Sequence, residues 1–226
     1  MPRNRQVKRS LRPVFYVFCE GKKTEPYYLD HYIRNHCSGF SFIQINRIKL
    51  DDIVKIPKTN KTDPISLVNL AIKQKSASPS PDLDRYWCAF DREAENKVKA
   101  KIPIKALETA TENGIEVAFS NVCFEVWLLL HKQDGCASFD SFDDLFRRSN
   151  LTIYYPKYSK GSHREFEAAE IANARKRARK MNEQTCKGCR LKVSEEIEPN
   201  QLVKLNPYTN FYRLLDAMDG FLASQR

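Results

Sequence analysis

The first half of the chain alternates between short apolar runs and longer amphipathic stretches. Residues 14–19 read VFYVFC, an uninterrupted apolar run that is typical of a strand buried on both faces of a parallel sheet. Residues 40–50, 85–93 and 115–120 have a similar strand-like character. The pattern therefore predicts four strands in this half of the chain.

Helical patterns separate the four predicted strands. We expect Thr24 to cap the first helix, Asn121 to cap the fourth, and Gly114 to end the third. The predicted helices cover residues 24–36, a stretch that begins at Asp63 and Pro64, 95–113, and 122–131. Residues 51–61 are predicted as a polar loop and residues 76–81 as a linker.

This rhythm stops after Lys132. The remaining predictions are a short helix at 138–148, a loop at 154–161, a long helix at 164–182, an irregular stretch at 184–206 and an amphipathic helix at 208–222. The order of elements favours an α/β fold, with a mainly parallel four-stranded sheet, helices on both faces and a C-terminal helical extension. We divide the chain into a basic arm at 1–12, a core at 13–132 and an inserted and C-terminal helical region at 133–226.

Composition narrows the functional class. The 226 residues are 42% hydrophobic, so the chain can fill a core and is not expected to be globally disordered. The formal net charge of +10 favours an anionic partner, with nucleic acid as the leading candidate; the alternative is a basic protein with no such partner. Residues 1–12 contain five basic residues and no acid, which indicates either a solvated terminus or an arm that lies on phosphates.

Cysteine usage and hydropathy bear on location. There are seven cysteines, an odd number, and no stretch approaches the roughly 18 apolar residues of a membrane helix. We expect a cytoplasmic protein with reduced thiols and no membrane partner. Cys186 and Cys189 form a C-x-x-C pair without a second pair at zinc-site spacing, so we expect inert thiols and no zinc.

Three acids follow two of the predicted strands. Glu20 ends the first apolar run, and Asp91 and Glu93 end the third. If these strands are neighbours, the acids converge, because adjacent strands lie about 4.8 Å apart. Several carboxylates raise one another's pKa, and a hard cation such as Mg²⁺ relieves that repulsion. The alternative is that the acids cap helices or pair with surface lysines.

Four motifs resemble those of the RloB family, which is related to the AbiL abortive-infection component and has a Toprim-like domain. The sequence FCEGKKTEP at 18–26 resembles the first family motif, and WCAFDRE at 87–93 resembles the second. SNVCFEVWLLLH at 120–131 is similar to the third, and PYTN at 207–210 is similar to the end of the family pattern. The resemblance spans most of the chain.

The resemblance implies a Toprim fold in which a glutamate and an Asp-x-Asp pair surround Mg²⁺. Carried over, Glu20 is the glutamate, acting as a general acid/base or metal ligand, and Asp91 is the first aspartate. Glu93 stands where the pattern has aspartate; the extra methylene changes the geometry of ligation and opens a preference for Mn²⁺. The resemblance further implies an ABC/AAA-type ATPase partner that gates a toxic activity.

The remaining candidate residues surround these acids or form basic surfaces. Asn121 and Glu125 either stabilise a helix start or face the metal pocket, and Glu25 is a further candidate near the metal. The candidates for nucleic-acid contact are basic or aromatic and comprise Lys22, Lys23, Tyr158, Lys160, Arg175, Arg179 and Lys180. A charged helix face that is merely solvated is the alternative for the last three.

Three functional hypotheses follow. The first is a metal-dependent nuclease of antiphage abortive infection that uses Glu20, Asp91 and Glu93 and cuts transfer RNA or DNA. The second is a non-catalytic nucleic-acid-binding or regulatory subunit of a defence complex, motivated by the departure at Glu93. The third is a primase-like polymerase, for which the sequence offers no recognisable nucleotide site. The oligomeric state stays open.

Overall fold

The structure is a computed structural model that describes residues 12–37, 53–59, 63–161, 165–191 and 197–225. The strand predicted at 40–50 and nearly all of the predicted basic arm lie outside these ranges. The described part of the chain contains five strands and nine helices. It is therefore a mixed α/β fold.

The strands form one sheet in the order β2-β1-β3-β4-β5. Their bounds are β1 Phe15–Cys19, β2 Val54–Lys55, β3 Arg85–Asp91, β4 Glu116–Asn121 and β5 Tyr208–Thr209. The first four strands are parallel, and β5 runs antiparallel to β4. The predicted mainly parallel sheet is confirmed, but the described sheet has five strands rather than four.

The helices cover both faces of this sheet. Their bounds are α1 Thr24–His36, α2 Pro64–Ala77, α3 Lys101–Glu112, α4 Glu125–Leu130, α5 Phe142–Arg148, α6 Leu151–Tyr154, α7 Ala168–Gly188, α8 Pro199–Leu202 and α9 Phe211–Ala223. None of the helices in the described ranges is both long enough and apolar enough to cross a bilayer.

Strand register places the predicted acids at one edge of the sheet. Cys19 of β1 pairs with Ala89 of β3, and Asp91 of β3 pairs with Ser120 of β4. Glu20 follows β1 directly, and its N–H donates to the Ala89 carbonyl at 2.9 Å. Because the strands are parallel, the segments that leave them all start at this edge.

Two hydrophobic clusters hold the sheet between its helical layers. One contains Phe15 and Val17 of β1 with residues from α1, α4, α7 and α9, and its largest fully buried side chain is Trp127. The other contains Phe18 and Phe90 with residues from α2, α3 and the segment around α8. The alternate residues of each strand point to opposite faces, so continuous apolar runs fill both layers.

Two strands were not anticipated from the pattern. Val54–Lys55 falls in the predicted polar loop, yet it pairs with Phe15 and Tyr16 at the edge of the sheet. Tyr208–Thr209 was assigned to the last helix, but it pairs with Asn121 and Ser120 of β4, and α9 begins only at Phe211. Partners distant in sequence override the local pattern in both cases.

Two predicted helices begin later than expected. The helix predicted at 95–113 begins only at Lys101. Residues 95–100 form turns instead, because Glu95 accepts from the Ala100 N–H and Arg92 donates to the Val98 carbonyl. In the second, α4 begins at Glu125, and Phe124 donates its N–H to the Asp91 side chain at 3.0 Å. Side chains that bond to backbone groups thus replace the first turn of each predicted helix.

Other helix ends also differ from the prediction. The cap position of α1 is Lys23, and Thr24 lies inside the helix, where its hydroxyl accepts from the Gly161 N–H at 3.0 Å. α7 begins after a capping box formed by Glu167 and Glu170 and runs on to Gly188, through part of the stretch predicted as irregular. The helix start predicted at Asp63 and Pro64 is confirmed, since Asp63 is the N-cap of α2 and accepts from the Ser66 N–H. The helix end predicted at Gly114 is confirmed as well, and this glycine has a positive φ.

Candidate functional site

An open cleft of about 590 Å³ lies at the carboxyl edge of β1 and β3. Five acidic residues line it, and together they define the acidic cleft: Glu20, Glu25, Asp91, Glu93 and Glu125. All five come from motifs singled out in the sequence. The structure thus brings together the three predicted ligands and two of the three residues proposed to surround them.

Glu20 and Asp91 form the floor of the acidic cleft. Glu20 accepts from the Asp91 backbone N–H through Oε2 at 3.3 Å. The Asp91 carboxylate accepts from the Phe124 N–H through Oδ2 at 3.0 Å. Each carboxylate is therefore oriented by a backbone donor from the next strand segment, while both side chains remain partly exposed to the cleft.

Glu25 lies over Gly21 in the first turn of α1. A Cβ on Gly21 would stand 2.0 Å from Glu25 Oε2, so any larger residue would displace this carboxylate from its observed position. Glu25 itself is 7% exposed. The glycine of the first motif is thus required by the close approach of the Glu25 side chain.

Glu125 begins α4 and is almost completely buried, with 2% of its surface exposed. Tyr158 donates its hydroxyl to Glu125 Oε1 at 2.6 Å. Glu125 Oε2 is buried and has no hydrogen-bond partner by strict geometry in the described part of the chain, although the Cys123 thiol is close enough to donate a weak hydrogen bond to this carboxylate. A buried carboxylate oxygen with no stronger donor, at the wall of a cleft, is available to a ligand.

Glu93 has a left-handed backbone conformation with φ of 55°. Its N–H donates to the Val122 carbonyl at 3.0 Å, and Lys97 donates to its Oε1 at 2.5 Å. A non-glycine residue in this region is uncommon and costs about 1 kcal/mol or more. Glu93 is therefore fixed toward the cleft, but an ammonium group already neutralises its charge.

Of the three residues proposed to surround the metal, Asn121 is the one that does not line the acidic cleft. It is the last residue of β4, and its amide donates to the carbonyls of Val203 and Leu205 at 3.1 and 2.8 Å. It neither caps α4 nor faces the carboxylates. Its role is to fasten the C-terminal segment to the end of the sheet.

The carboxylates raise one another's affinity for protons. Burial, with Glu93 and Glu25 nearby, raises the pKa of Glu20 to about 7. Burial and the neighbouring Glu125 raise the pKa of Glu25 to about 7 as well. The pKa of Asp91 lies well above its usual range, because the carboxylate is desolvated and faces the other four acids. At neutral pH the site therefore favours either protons or a cation.

Lysines surround the acidic cleft. Lys22, Lys23, Lys97 and Lys160 all line it and are all exposed. The pKa of Lys160 is raised: burial lowers it, but the attraction of Glu125 and Asp91 outweighs that effect. A basic rim above an acidic floor can bind phosphates at the rim and a cation below them.

The other predicted nucleic-acid contacts lie elsewhere or point inward. Tyr158 is only 8% exposed and bonds to Glu125, so its ring does not offer a stacking face. Arg175 on α7 bonds to Tyr32 and pairs with Asp219. Arg179 pairs with Asp216. Lys180 is exposed on the same helix. None of these four residues lines the acidic cleft, and only Tyr158 contacts it, through Glu125.

The carboxylate oxygens of the acidic cleft can be compared with the ligands that a divalent ion requires. Across the residues that the structure describes, no group of three or more acids, histidines or cysteines is close enough to hold a metal ion by itself. Mg²⁺ normally uses one or two carboxylates and takes its other ligands from water and substrate phosphates. Oxygen donors with raised pKa values and the available Glu125 Oε2 fit such an ion.

Sequence reasoning missed some residues of the cleft. Lys97 was assigned to a helix, although its spacing from Glu93 is that of an i,i+4 pair and could have indicated the contact. Phe124 supplies the N–H that orients Asp91, and a backbone donor leaves no sequence signal. Gly161, with φ of 82°, brings Lys160 to the cleft and was not singled out.

Comparison with known proteins supports the motif assignment. The model of the RloB-like protein family matches residues 15–218, which include every residue of the acidic cleft. No curated protein and no solved structure shows significant similarity to the chain. Since the family model covers most of the sequence, the chain belongs to the family of RloB-like proteins.

Proposed function

We propose that this protein is a divalent-metal-dependent nuclease with a Toprim-like core, and that the acidic cleft is its active site. The observation that carries this proposal is the meeting of Glu20 and Asp91 at the edge of adjacent parallel strands, with three further acids around them. A divalent ion held by these carboxylates beside a basic rim would suit phosphodiester hydrolysis, because such an ion can activate water and offset the charge of the phosphate.

The residues would divide the work in the following way. Asp91 and Glu20, with the Oε2 oxygen of Glu125, would hold Mg²⁺ or Mn²⁺, which when bound supplies positive charge against the phosphate. In the metal-free cleft the pKa of Glu20 is raised to about 7, and a bound cation would keep this carboxylate ionised, either as a ligand or as the base that takes a proton from the attacking water. Lys160 would bind the phosphate oxygens from the rim, and Lys97 would hold Glu93 in place.

Family resemblance and charge support a proposal for the substrate and the biological setting. The net charge of +10 supports a nucleic-acid substrate, either transfer RNA or DNA. The abortive-infection relatives of the family support a toxic effector of antiphage defence that works beside an ABC/AAA-type ATPase. The exposed Lys22, Lys23 and Lys160 are the contacts that we assign to the backbone of the substrate.

Cleavage assays test the proposal directly. Purified protein is incubated with total transfer RNA, single-stranded DNA or plasmid, in Mg²⁺ or Mn²⁺, beside Glu20→Gln and Asp91→Asn. Glu108→Gln, an exposed acid on α3 away from the cleft, is the matched control. Cleavage that both cleft variants lose and the control keeps supports the nuclease. If wild type cuts nothing, alone or with the ATPase partner, the proposal fails.

A second candidate is a non-catalytic nucleic-acid-binding subunit. The observation that favours it is the ion pair of Glu93 with Lys97, which neutralises one of the three predicted ligands. This function predicts binding that weakens steeply with salt, no cleavage with any divalent ion, and unchanged binding in Asp91→Asn. A filter-binding titration at several salt concentrations distinguishes the two functions.

A further inference from the structure

A second cleft lies at the β5 edge of the sheet, between α7, α8 and the start of α9. Its volume is about 510 Å³, within the range of roughly 300–1,000 Å³ that small-molecule sites occupy. It shares no lining residue with the acidic cleft. We name it the edge cleft and define it by Arg179, Asn182, Cys186, Leu202, Tyr208 and Arg213.

An additional β-strand is not expected to pair with β5 in the edge cleft. β5 is the edge strand here, but Asn182 already bonds to both backbone groups of Thr209: its amide donates to the carbonyl at 2.8 Å, and its oxygen accepts from the N–H at 3.2 Å. The outward hydrogen-bonding positions of Thr209 are therefore satisfied. A ligand of the cleft must instead use side chains.

Arg213 lines the edge cleft and is its one charged residue that has no ion pair or side-chain hydrogen bond within the described ranges. The other charged residues of the cleft are paired. Arg179 pairs with Asp216, and Glu183 accepts from Lys187 at 2.6 Å. The charge that remains attracts an anion, and a guanidinium suits phosphate oxygens in particular.

Tyr208 adds a hydroxyl that a ligand of the cleft can reach. The residue lines the cleft, and its hydroxyl bonds to none of the described residues. The hydroxyl is not one of the buried polar atoms that lack a partner, so it is open to the cleft and can bond to a ligand there. Arg213 and Tyr212 both interact with Tyr208 electrostatically, which places the hydroxyl and the guanidinium in the same part of the cleft.

Apolar side chains form the remaining wall. Ile197 and Leu202 also line the cleft, and the guanidinium of Arg179 lies 4.5 Å from the centre of the Tyr212 ring. Aliphatic surface and a cation–aromatic stack suit a flat ring system. A ligand that joins such a ring to an anionic group would match both halves of the cleft.

We propose that the edge cleft binds a nucleoside phosphate, with the phosphate at Arg213 and the Tyr208 hydroxyl and the base against Leu202 and Ile197. The site is independent of the acidic cleft and of its proposed reaction. A free nucleotide and the terminal nucleotide of a strand share this chemistry. Binding of mononucleotides and of a short 5′-phosphorylated oligonucleotide to the full chain distinguishes these two sources.

Isothermal titration of the full chain with AMP, GMP, CMP and UMP, with adenosine and inorganic phosphate beside them, tests the proposal. At least one mononucleotide should bind more tightly than either half. Arg213→Gln should weaken that binding about tenfold or more, and Tyr208→Phe should weaken it a few fold. Arg147→Gln, an exposed arginine on α5, and Asp91→Asn should leave the affinity unchanged.

Three results would overturn the proposal. The first is no heat of binding with any nucleotide at millimolar concentration. The second is equal affinity for inorganic phosphate and nucleotides, which would remove the base from the site. The third is binding that Asp91→Asn abolishes and Arg213→Gln leaves intact, which would move the ligand to the acidic cleft. Circular dichroism of each variant shows whether the fold is retained.

Discussion

Glu20→Gln should stabilise the metal-free protein while abolishing its response to divalent ions. The substitution keeps the shape of the side chain, and the amide oxygen can still accept from the Asp91 N–H. It removes a carboxylate that is partly desolvated and faces Glu93 and Glu25. Active sites that gather like charges sacrifice stability for function, so removing one charge should return part of that stability.

The magnitude follows from the pKa. Burial raises the pKa of Glu20 from 4.5 to about 7, so the folded protein binds this proton more tightly than the unfolded chain. The stabilisation that protonation gives is fully present below the unfolded value and is lost as pH rises through about 7. At about 1.4 kcal/mol per pKa unit the full loss is roughly 3 kcal/mol, and solvent screening of the partly exposed group reduces it to roughly 2 kcal/mol.

Thermal unfolding in EDTA measures this effect. For a chain of this length, about 2 kcal/mol corresponds to a Tm increase of roughly 4–8 °C for Glu20→Gln near pH 8. Near pH 4.5 the variant and the wild type should unfold together, because wild-type Glu20 is then protonated in the fold. Mg²⁺ should raise the Tm of the wild type near pH 8 and leave the variant unchanged.

A matched exposed acid provides the control. Glu108→Gln lies on α3 and should change neither the Tm nor the Mg²⁺ response. A Glu20→Gln variant that is less stable than the wild type near pH 8, with equal Tm near pH 4.5, would refute the electrostatic reasoning. A variant that keeps the full Mg²⁺ response would remove Glu20 from the metal site.

Three further predictions concern the supports of the site. Gly21→Ala places a Cβ where a cleft carboxylate stands, so it should weaken the Mg²⁺-dependent rise in Tm, whereas Gly220→Ala, which has open space, should not; equal titration curves would contradict this. Tyr158→Phe leaves a buried carboxylate oxygen unpaired and should lower stability by roughly 2 kcal/mol in urea unfolding, and a loss below about 0.5 kcal/mol would contradict it. Burial lowers the pKa of His131 to about 4, so the neutral ring stabilises the fold fully above about pH 6.5 and progressively less as the pH falls toward 4. The difference in Tm between the wild type and His131→Gln should therefore shrink on acidification. A constant difference from pH 7 to about 4.5 would contradict this assignment.

The sequence predicted the central part of the fold for a clear physical reason. Continuous apolar runs mark strands that are buried on both faces, and an acid directly after such a run can lie only at the edge of the sheet. This pattern alone predicts that Glu20 and Asp91 lie at the edge of the sheet. Asp63 and Gly114 were likewise identified because caps and left-handed glycines act locally.

The tertiary structure decided what depends on distant partners. The sequence suggests the same two roles for Asn121 and Glu125, either at a helix start or at the metal pocket. Only Glu125 lines the cleft, since Asn121 donates instead to the carbonyls of Val203 and Leu205. Arg175 belongs to a basic run, yet it pairs with Asp219 instead of facing solvent. Tyr208 was predicted to begin the last helix, but it lies in a strand because it pairs with Asn121 of β4, 87 residues earlier in the chain. Local propensity predicts most of the elements, whereas long-range strand pairing, hydrogen bonds and charge pairs determine the rest and decide which side chains reach the site.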